Sequence, residues 1–260
     1  MVAQARQFGD KQFNDKVVWI TGAGTGIGKA VAAMFACEGA TLALLGRRRG
    51  VLEPVGEEAL RLGARAEVVP LDVTERAAVQ AAAARLLSLW ERVDILVNNA
   101  GINVVNRKLS VLPPEDWDRV LQVNLTGAYN MIAAVLPPMR RQGGGLIVNI
   151  SSMAGKRVSG LSGAAYAASK HGLTALNESI NVEEGHHGIR ATAVCPGEVD
   201  TEILDKRPVP LPPEERARLI GAGDVAAAVR FLAGLPARTT VPELLMMPTH
   251  RRILRPEEVR

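Results

Sequence analysis

Residues 17–28 read VVWITGAGTGIG, an apolar run that leads directly into a turn with glycine at every second position. A helical pattern follows. Glycines at such a strand-to-helix turn let the backbone approach a pyrophosphate closely, and the helix N-terminus adds free N–H groups and a partial positive charge. The stretch therefore predicts a nucleotide-binding turn, with a plain tight turn as the alternative. The residues predicted to bind are Gly22, Gly24, Thr25, Gly26, Ile27 and Gly28.

Short apolar runs alternate with longer alanine-rich stretches of helical period through the rest of the chain. This is the pattern of parallel strands joined by crossover helices. The predicted strands cover residues 17–21, 42–45, 66–71, 95–98, 146–151, 191–195 and 244–247. The predicted helices cover residues 27–38, 51–62, 75–90, 115–136, 164–186 and 224–235. The sequence thus predicts an α/β protein, a Rossmann fold with a doubly wound, seven-stranded parallel sheet and three helices on each face.

The chain is predicted to form one domain over residues 1–260, because no repeat, low-complexity tract or Ser/Gly linker divides it. Residues 1–15 are interpreted as an N-terminal extension. Residues 198–213 contain four prolines and four acidic residues without a clear period, and long irregular segments are often active-site lids. We therefore predict a substrate-binding lid over residues 198–220 that is mobile until ligands bind.

The composition excludes several classes of protein. Of the 260 residues, 47% are apolar and 22% are charged, which excludes disordered and fibrous chains. An aromatic content of 3% disfavours a barrel of aromatic-rich hairpins. The net charge of +4 is spread along the chain, so nucleic acid is not an expected partner.

The two cysteines, Cys37 and Cys195, lie far apart and belong to no cluster with metal-ligand spacing. We predict no metal site and two buried thiols in a reducing compartment. The N-terminus lacks the apolar stretch of a signal peptide, and no run of about 18 uncharged apolar residues occurs. We expect a complete cytoplasmic protein without a membrane partner.

Residues 166–170, with the sequence YAASK inside a predicted helix, carry the strongest indication of chemistry. At positions i and i+4 the phenol of Tyr166 and the ammonium of Lys170 lie on one helix face. The cation can then stabilise the phenolate and lower the tyrosine pKa. Tyr166 is therefore a candidate proton donor; a surface Tyr and Lys on an amphipathic helix is the alternative.

Polar residues also follow the predicted strands, at the sheet edge where open α/β folds bind ligands. Ser151 and Ser152 end the fifth strand, and one of them can face the crevice. Asp72 could accept a hydrogen bond from an adenine amino group, or cap the next helix. The stretch NNAG at 98–101 consists of small and polar residues that would let the chain turn beneath a bound nucleotide. The alternative is a turn with no role in binding. The nucleotide contacts predicted in these two stretches are Asp72, Val73, Asn98, Ala100 and Gly101.

Asn124 lies in a largely apolar stretch of the helix predicted over residues 115–136. Asparagine is unfavourable in helix interiors, so it is expected to kink the helix or to hold a water molecule.

Over residues 16–201, the content and order of these segments resemble the short-chain dehydrogenase/reductase (SDR) family. The matching motifs are T-G-x-x-x-G-x-G, N-N-A-G, I-S-S-x-A-G, Y-x-x-x-K and P-G-x-x-x-T. The resemblance implies hydride transfer between a nicotinamide cofactor and a ketone or secondary alcohol. It implies that Tyr166 is the acid/base, that Lys170 lowers its pKa and binds ribose, and that Ser152 polarises the substrate oxygen. A homo-oligomer, dimer or tetramer, is also implied.

The same resemblance implies further roles. Asn124 would anchor a water in a proton relay to Lys170. The segment CPGEVDT at 195–201 would contact the cofactor through Pro196, Gly197, Val199 and Thr201. Val199 and Thr201 would hold the nicotinamide carboxamide. The alternative for this segment is a common Pro-Gly turn. The interval from Ser152 to Tyr166 is one residue longer than in many members. Residues 242–249 stand where acyl-carrier-protein reductases commonly have a D-G-G ending. The sequence of this segment is more similar to family members that act on small hydroxy acids.

The cofactor preference is predicted from LLGRRR at 44–49, at the end of the second strand. An acidic residue at this position would accept a hydrogen bond from the ribose 2′-OH of NAD(H). This chain instead has Gly46, which leaves room for a 2′-phosphate, and Arg47, with Arg48 beside it, whose guanidinium can bind that phosphate. NADP(H) is favoured over NAD(H). The alternative is a solvated loop of three arginines, and Thr25 stands where some NADP-dependent members carry a basic residue.

Rival functions remain open at this point. One is a dinucleotide-sensing regulator without catalysis, although such relatives usually lose the Tyr/Lys pair that this chain retains. Another is a 3-oxoacyl-thioester reductase. A methyltransferase on a similar sheet would leave Ser152, Tyr166 and Lys170 without a role.

Overall fold

The computed structural model describes residues 11–250, within which the chain forms nine strands. They are β1 Val17–Thr21, β2 Thr41–Gly46, β3 Arg65–Pro70, β4 Ile95–Asn98, β5 Gly145–Ile150, β6 Ile189–Pro196, β7 Val199–Asp200, β8 Ile220–Gly221 and β9 Glu243–Met246. Seven of them form a parallel sheet in the order β3-β2-β1-β4-β5-β6-β9. The predicted seven-stranded, doubly wound parallel sheet is confirmed.

The helices cover both faces of this sheet. They are α1 Gly26–Cys37, α2 Arg49–Arg61, α3 Arg76–Trp90, α4 Pro114–Leu121, α5 Gly127–Arg141, α6 Ala164–Glu184, α7 Pro213–Arg216 and α8 Ala222–Gly234. α1, α2 and α8 pack on one face, and α3, the α4–α5 pair and α6 pack on the other. The predicted three helices on each face are confirmed.

The central strands are apolar on both sides because helices cover both. In β1, Val18 and Ile20 belong to the core beneath α1, whereas Val17 and Trp19 belong to the opposite core. Successive side chains of a strand point to opposite faces, so an uninterrupted apolar run is what a strand between two helix layers requires.

The helix predicted over residues 115–136 is interrupted and longer than expected. Between α4 and α5, Gln122–Thr126 form a π-helical turn that contains the buried Asn124, in agreement with the predicted kink. The predicted end at residue 136, before two prolines, is wrong, because α5 continues to Arg141. Burial of Pro138 and Met139 against the sheet offsets the backbone hydrogen bonds that the two prolines cannot donate.

Residues 11–15, at the end of the predicted extension, form a turn that packs Phe13 edge-on against Phe35, with ring centroids 5.1 Å apart. Residues 1–10 of the extension lie outside the described range.

Cys195 is buried as expected, but Cys37 is exposed, because it is the last residue of α1 and faces away from the sheet. No helix in the described part of the chain is long and apolar enough to span a membrane.

The segment predicted as a lid contains short elements that the sequence pattern does not reveal. β7 and β8 pair with each other outside the main sheet, and a 3₁₀ turn covers Glu202–Lys206. The Arg216 side chain donates to Asp200, at 2.7 Å, and to Asp205, at 2.9 Å. Mobility of this segment stays a prediction.

A chain of buried asparagine amides ties the sheet to the helix layer. Asn98 Nδ2 donates to Asn149 Oδ1, and Asn149 Nδ2 donates to Asn177 Oδ1, both at 3.0 Å. Asn177 Nδ2 in turn donates to the Pro242 carbonyl oxygen at 3.0 Å. These donor bonds link β4, β5 and α6 to the residues that lead into β9, whereas Asn98 Oδ1 is buried without a hydrogen-bond partner.

We expect Asn149→Ala to lower the free energy of unfolding by about 1–3 kcal/mol for each buried group left unpaired. Chemical denaturation followed by circular dichroism measures this. The control Asn106→Ala, at an exposed loop position, should change stability by less than about 0.5 kcal/mol. Equal stability of the two variants would show that the amide chain does not stabilise the fold.

Candidate active site

A cavity of about 770 Å³ lies at the carboxyl edge of the sheet. Its walls come from the glycine turn after β1, the ends of β2, β5 and β6, the chain after β3 and β4, and the segment that begins at residue 198. In the sheet, β1 lies between β2 and β4. The strands that come next in the chain, β2 and β3, lie on one side of β1, and the later strands, from β4 onward, lie on the other side. Open α/β sheets bind ligands where the strand order reverses in this way.

The glycine turn has the geometry of a pyrophosphate-binding turn. Gly22 and Gly26 have φ of +62° and +50°, a region that glycine adopts without strain. A Cβ on Gly24 would lie 2.9 Å from Val51 Cγ1. The N-cap residue of α1, Thr25, makes no side-chain capping bond, so no side chain competes with a ligand for the first N–H groups of the helix. The turn residues that line the cavity are Gly22, Gly24, Thr25, Gly26 and Ile27.

Gly28 has a packing role. It is buried, it is not among the cavity-lining residues, and a Cβ there would lie 2.2 Å from the Gly22 carbonyl oxygen. Glycine at this position lets α1 pack against its own entry turn, and the contact predicted between Gly28 and a ligand stays a prediction.

Asn98 and Asn99 face different ways. Asn98 is buried and donates to the Ala128 carbonyl oxygen and to Asn149, away from the cavity. The Asn99 amide donates to the Thr21 and Gly22 carbonyl oxygens, both at 3.1 Å, and lines the cavity. Ala100 and Gly101 line it as expected. The Asn98 side chain points toward the α5 layer, and the ligand contact predicted for Asn98 stays a prediction.

At the opposite wall, Arg47, Arg48, Asp72 and Val73 line the cavity. Arg47 Nη1 lies 4.0 Å from Asp72 Oδ2. Asp72 Oδ1 accepts from the backbone N–H and the hydroxyl of Thr74, at 3.0 and 2.8 Å. Asp72 is not the cap of α3, since Glu75 holds that position. Arg49 faces away and pairs with Glu53 at 3.4 Å.

Tyr166, Lys170 and Ser152 meet in the centre of the cavity wall. The Ser152 hydroxyl is close enough to the Tyr166 phenol to lower the pKa of the phenol, and Lys170 Nζ lies 5.6 Å from the centroid of the Tyr166 ring. Lys170 is buried and donates to the Ile150 carbonyl oxygen at 2.8 Å. The Ser151 hydroxyl is bonded to the Lys170 carbonyl oxygen and to Thr174, so Ser152 is the serine whose hydroxyl meets the phenol.

The pKa values in this group reflect burial. Burial raises the pKa of Tyr166, and the Ser152 hydroxyl and the charge of Arg107 oppose that rise. Burial lowers the pKa of Lys170 to about 8. The helix spacing predicts that Lys170 lowers the tyrosine pKa; in this arrangement the two groups that lower it are Ser152 and Arg107.

Asn124 is fully buried behind the cavity wall. Its Oδ1 accepts from the Ile102 backbone N–H at 2.8 Å, and its Nδ2 donates to the Ile102 carbonyl oxygen at 3.0 Å and to Ser169 Oγ at 3.1 Å. The side chain therefore fixes the chain after β4 against α6. A water relay through Asn124 stays a prediction.

The family pattern described as short chain dehydrogenase matches residues 16–209. The chain belongs to this family. A levodione reductase of Leifsonia aquatica is 36% identical over 236 residues, covering 85% of this chain and 88% of that protein. A 3-oxoacyl-(acyl-carrier-protein) reductase of Thermotoga maritima is 38% identical over 194 residues, covering 74% and 78%. The structure of an alcohol dehydrogenase from Thermococcus sibiricus, complexed with 5-hydroxy-NADP, aligns with a TM-score of 0.83 at 30% identity and covers 92% of this chain and 99% of that one.

In this short-chain dehydrogenase, the segment after β6 completes the cavity. Its lining residues include Pro196, Gly197, Val199 and Thr201. A Cβ on Gly26 would lie 3.0 Å from Thr201 Cγ2, so this segment closes over the glycine turn. A carboxamide contact from Val199 and Thr201 stays a prediction.

Other cavity-lining residues carry no motif that sequence analysis could use. The basic ones near Tyr166 and the segment from residue 198 are Arg107, Arg157, Lys206 and Arg207. Ser159 and Ser162 lie in the loop before α6 and also line the cavity. A guanidinium in an irregular segment gives no periodic signal, and only the folded chain brings these residues together.

We expect Ser152→Ala to lower kcat by about 10²–10³-fold, the effect of removing one oxyanion-stabilising donor. It also removes a group that lowers the Tyr166 pKa, so the phenolate needed for alcohol oxidation forms at higher pH. The alkaline shift of the pH profile for oxidation measures this. Ser159→Ala, in the same cavity wall, is the control; an unshifted Ser152→Ala profile would contradict the role.

Proposed function

We propose that this short-chain dehydrogenase uses NADP(H) to interconvert a small ketone and its secondary alcohol. The substrate is a hydroxy acid, a hydroxy ester or a similar carbonyl compound. The observation that carries the proposal is that Ser152, Tyr166 and the buried Lys170 line one cavity that also contains the helix N-terminus of the glycine turn.

The protein supplies the proton and the geometry, while the nicotinamide ring, when bound, supplies or accepts the hydride. Ser152 and Tyr166 would both hydrogen-bond to the substrate oxygen. In reduction, the Tyr166 hydroxyl donates its proton to that oxygen; in oxidation, the phenolate takes the proton back. The positive charge of Arg107 favours the phenolate, and Lys170 would bind the ribose hydroxyls.

The preference for NADP(H) rests on the wall formed by Arg47 and Arg48. No acidic residue ends β2, and Arg47 carries a guanidinium on the cavity wall that suits a 2′-phosphate. Asp72, 4.0 Å from Arg47, would orient this guanidinium. The NADP analogue in the Thermococcus sibiricus neighbour supports the same preference.

Two alternatives are tested by the same assays. Reduction of 3-oxoacyl thioesters is the activity in the name of the Thermotoga maritima relative, although the β9 region of this chain, 242–249, lacks the D-G-G ending. A dinucleotide sensor without catalysis is disfavoured because Ser152, Tyr166 and Lys170 are present together. A panel of neutral ketones, oxo esters, oxo acids and oxoacyl thioesters, followed by NADPH absorbance, separates these functions.

A cytoplasmic homo-oligomer, dimer or tetramer, is part of the proposal. Tyr129 on α5 and Val182 on α6 are exposed, and these helices provide the surface at which a second copy would pack. Light scattering after size-exclusion chromatography measures the oligomeric state.

We expect Tyr166→Phe to lower kcat by about 10³-fold, because it removes the transferable proton and little else. NADPH affinity, measured by fluorescence titration, should change little. Tyr129→Phe is the matched control, since Tyr129 is the other of the two tyrosines in the chain and lies on an exposed helix face. Turnover by Tyr166→Phe at the wild-type rate would overturn the proposed function.

For cofactor choice, we expect Gly46→Asp combined with Arg47→Gln to reverse the preference in favour of NADH. A Cβ at Gly46 would meet its nearest atom, Leu52 Cδ2, at 3.5 Å, so the new side chain fits. Loss of the phosphate contact should weaken NADPH binding by about 1.5–3 kcal/mol, or roughly 10- to 150-fold. Arg49→Gln removes the same charge from a residue that pairs with Glu53 and should leave the preference intact. Equal affinity of the wild type for NADH and NADPH would refute the argument.

A further inference from the structure

Two arginines are buried at the end of the cavity near Tyr166. Arg107 lies in the chain after β4 and is 7% exposed; Arg207 follows the 3₁₀ turn at Glu202–Lys206, and its side chain is 9% exposed. Both line the cavity. The positive charge of Arg207 helps to lower the pKa of Arg107 to about 10, with burial as the larger cause. The two guanidinium groups are therefore close enough to repel each other.

Arg107 has hydrogen-bond partners but no counter-charge. Its Nε donates to the Val104 carbonyl oxygen at 2.9 Å and its Nη1 to the Leu161 carbonyl oxygen at 3.0 Å. Its Nη2 donates to the Lys206 carbonyl oxygen. Within residues 11–250 no carboxylate lies within ion-pair distance of Arg107. Burying a charge without an opposite charge is costly.

Arg207 has a counter-charge but an incomplete set of partners. Its Nη2 donates to Glu198 Oε1 at 2.9 Å. Its Nη1 is buried and has no hydrogen-bond partner. Glu198 is paired with Arg207 and not with Arg107, so the charge of Arg107 stays without a carboxylate partner in the described part of the chain. Glu202 is placed differently, since its Oε2 would lie 3.2 Å from a Cβ on Gly26, over the glycine turn.

The arginine pair lies beside the catalytic group. The charge of Arg107 acts on the Tyr166 pKa, and a Cβ on Gly163, at the N-terminus of the Tyr166 helix, would lie 2.5 Å from Arg107 Cβ. Both arginines line the same cavity as Ser152 and Tyr166, so a substrate whose oxygen is held by Ser152 and Tyr166 would share that cavity with the two arginines.

We propose that Arg107 and Arg207 form a carboxylate-binding subsite, which makes the substrate an oxo acid or hydroxy acid rather than its ester. A guanidinium without a counter-charge on Arg107 and one unpaired buried donor on Arg207 suit a carboxylate, whose planar group matches the fork of a guanidinium. The inference rests on the proposed reductase function and narrows its substrate class.

The test compares acids with their methyl esters, which carry the same ketone. 2-Oxopentanoate, 3-oxopentanoate and 4-oxopentanoate, each with its methyl ester, cover the possible spacings between ketone and carboxylate. In the wild type we expect kcat/KM for at least one acid to exceed that of its ester by tenfold or more. Arg207→Met should lower kcat/KM for that acid by about 10- to 100-fold, mainly through KM, and leave the ester within about twofold.

Matched variants separate a specific subsite from a general electrostatic effect. Arg157→Met removes the same charge from an exposed arginine of the cavity wall and should leave the acid preference unchanged. Arg107→Lys retains the positive charge but lacks the planar guanidinium that binds a carboxylate with two hydrogen bonds, so it should weaken acid binding. This variant keeps the test usable if Arg107→Met fails to fold. Equal loss in Arg157→Met and Arg207→Met would overturn the subsite.

A binding measurement makes the inference independent of turnover. 2-Hydroxypentanoate, 3-hydroxypentanoate and 4-hydroxypentanoate, each with its methyl ester, are titrated calorimetrically into the NADPH-bound protein, for the wild type and Arg207→Met. If ketones or esters are reduced but acids are neither preferred nor bound through Arg207, the subsite is wrong and the proposed function stands. If the acid binds through Arg207 but nothing in the panel is reduced, the subsite stands and the proposed function fails.

Discussion

The active site depends on how closely the chain after β4 approaches the glycine turn after β1. The Asn99 amide donates to the Thr21 and Gly22 carbonyl oxygens, and the Thr21 hydroxyl accepts from the backbone N–H groups of Asn99 and Ala100. A Cβ on Gly28 would lie 2.5 Å from Asn99 Nδ2, so the approach requires glycine there. These bonds hold two strand ends together at the point where the strand order reverses. The position of the cavity follows, because its lining residues extend from strand ends along this edge.

The strand positions could be predicted from sequence because each central strand lies between two helix layers and reads as a short apolar run, as in β2. The helix that contains Asn124 could be predicted only in part. An asparagine in an apolar helix indicates a disturbance, but the π-helical turn depends on hydrogen bonds to Ile102, 22 residues earlier. The continuation of α5 through two prolines likewise depends on burial of Pro138 and Met139. Local propensity does not contain these long-range contacts.

The residues of the site also differ in whether local sequence or long-range contacts fix their positions, and this difference separates the residues that were predicted from those that were missed. Tyr166, Lys170 and Ser152 lie on or directly after regular elements, where spacing fixes the side-chain direction. Asn98 and Asn99 mark the limit of that approach, since consecutive residues at a strand end face opposite ways and the sequence does not say which one faces the turn. Arg107 and Arg207 come from irregular segments far apart in the chain. Their proximity is a property of the folded chain alone.

The cations of the site explain why its ligands should be anions. Lys170 and Arg107 both donate to carbonyl oxygens, which compensate a buried charge only in part. The cost is expressed in their pKa values, lowered to about 8 for Lys170 and about 10 for Arg107. For Lys170 the destabilisation is fully present below pH 8 and disappears as the pH rises toward the ordinary value of 10.5. At neutral pH the protein therefore holds two poorly compensated positive charges in one cavity. A carboxylate bound at the proposed subsite would supply the counter-charge that Arg107 lacks, and it would recover part of this free energy on binding.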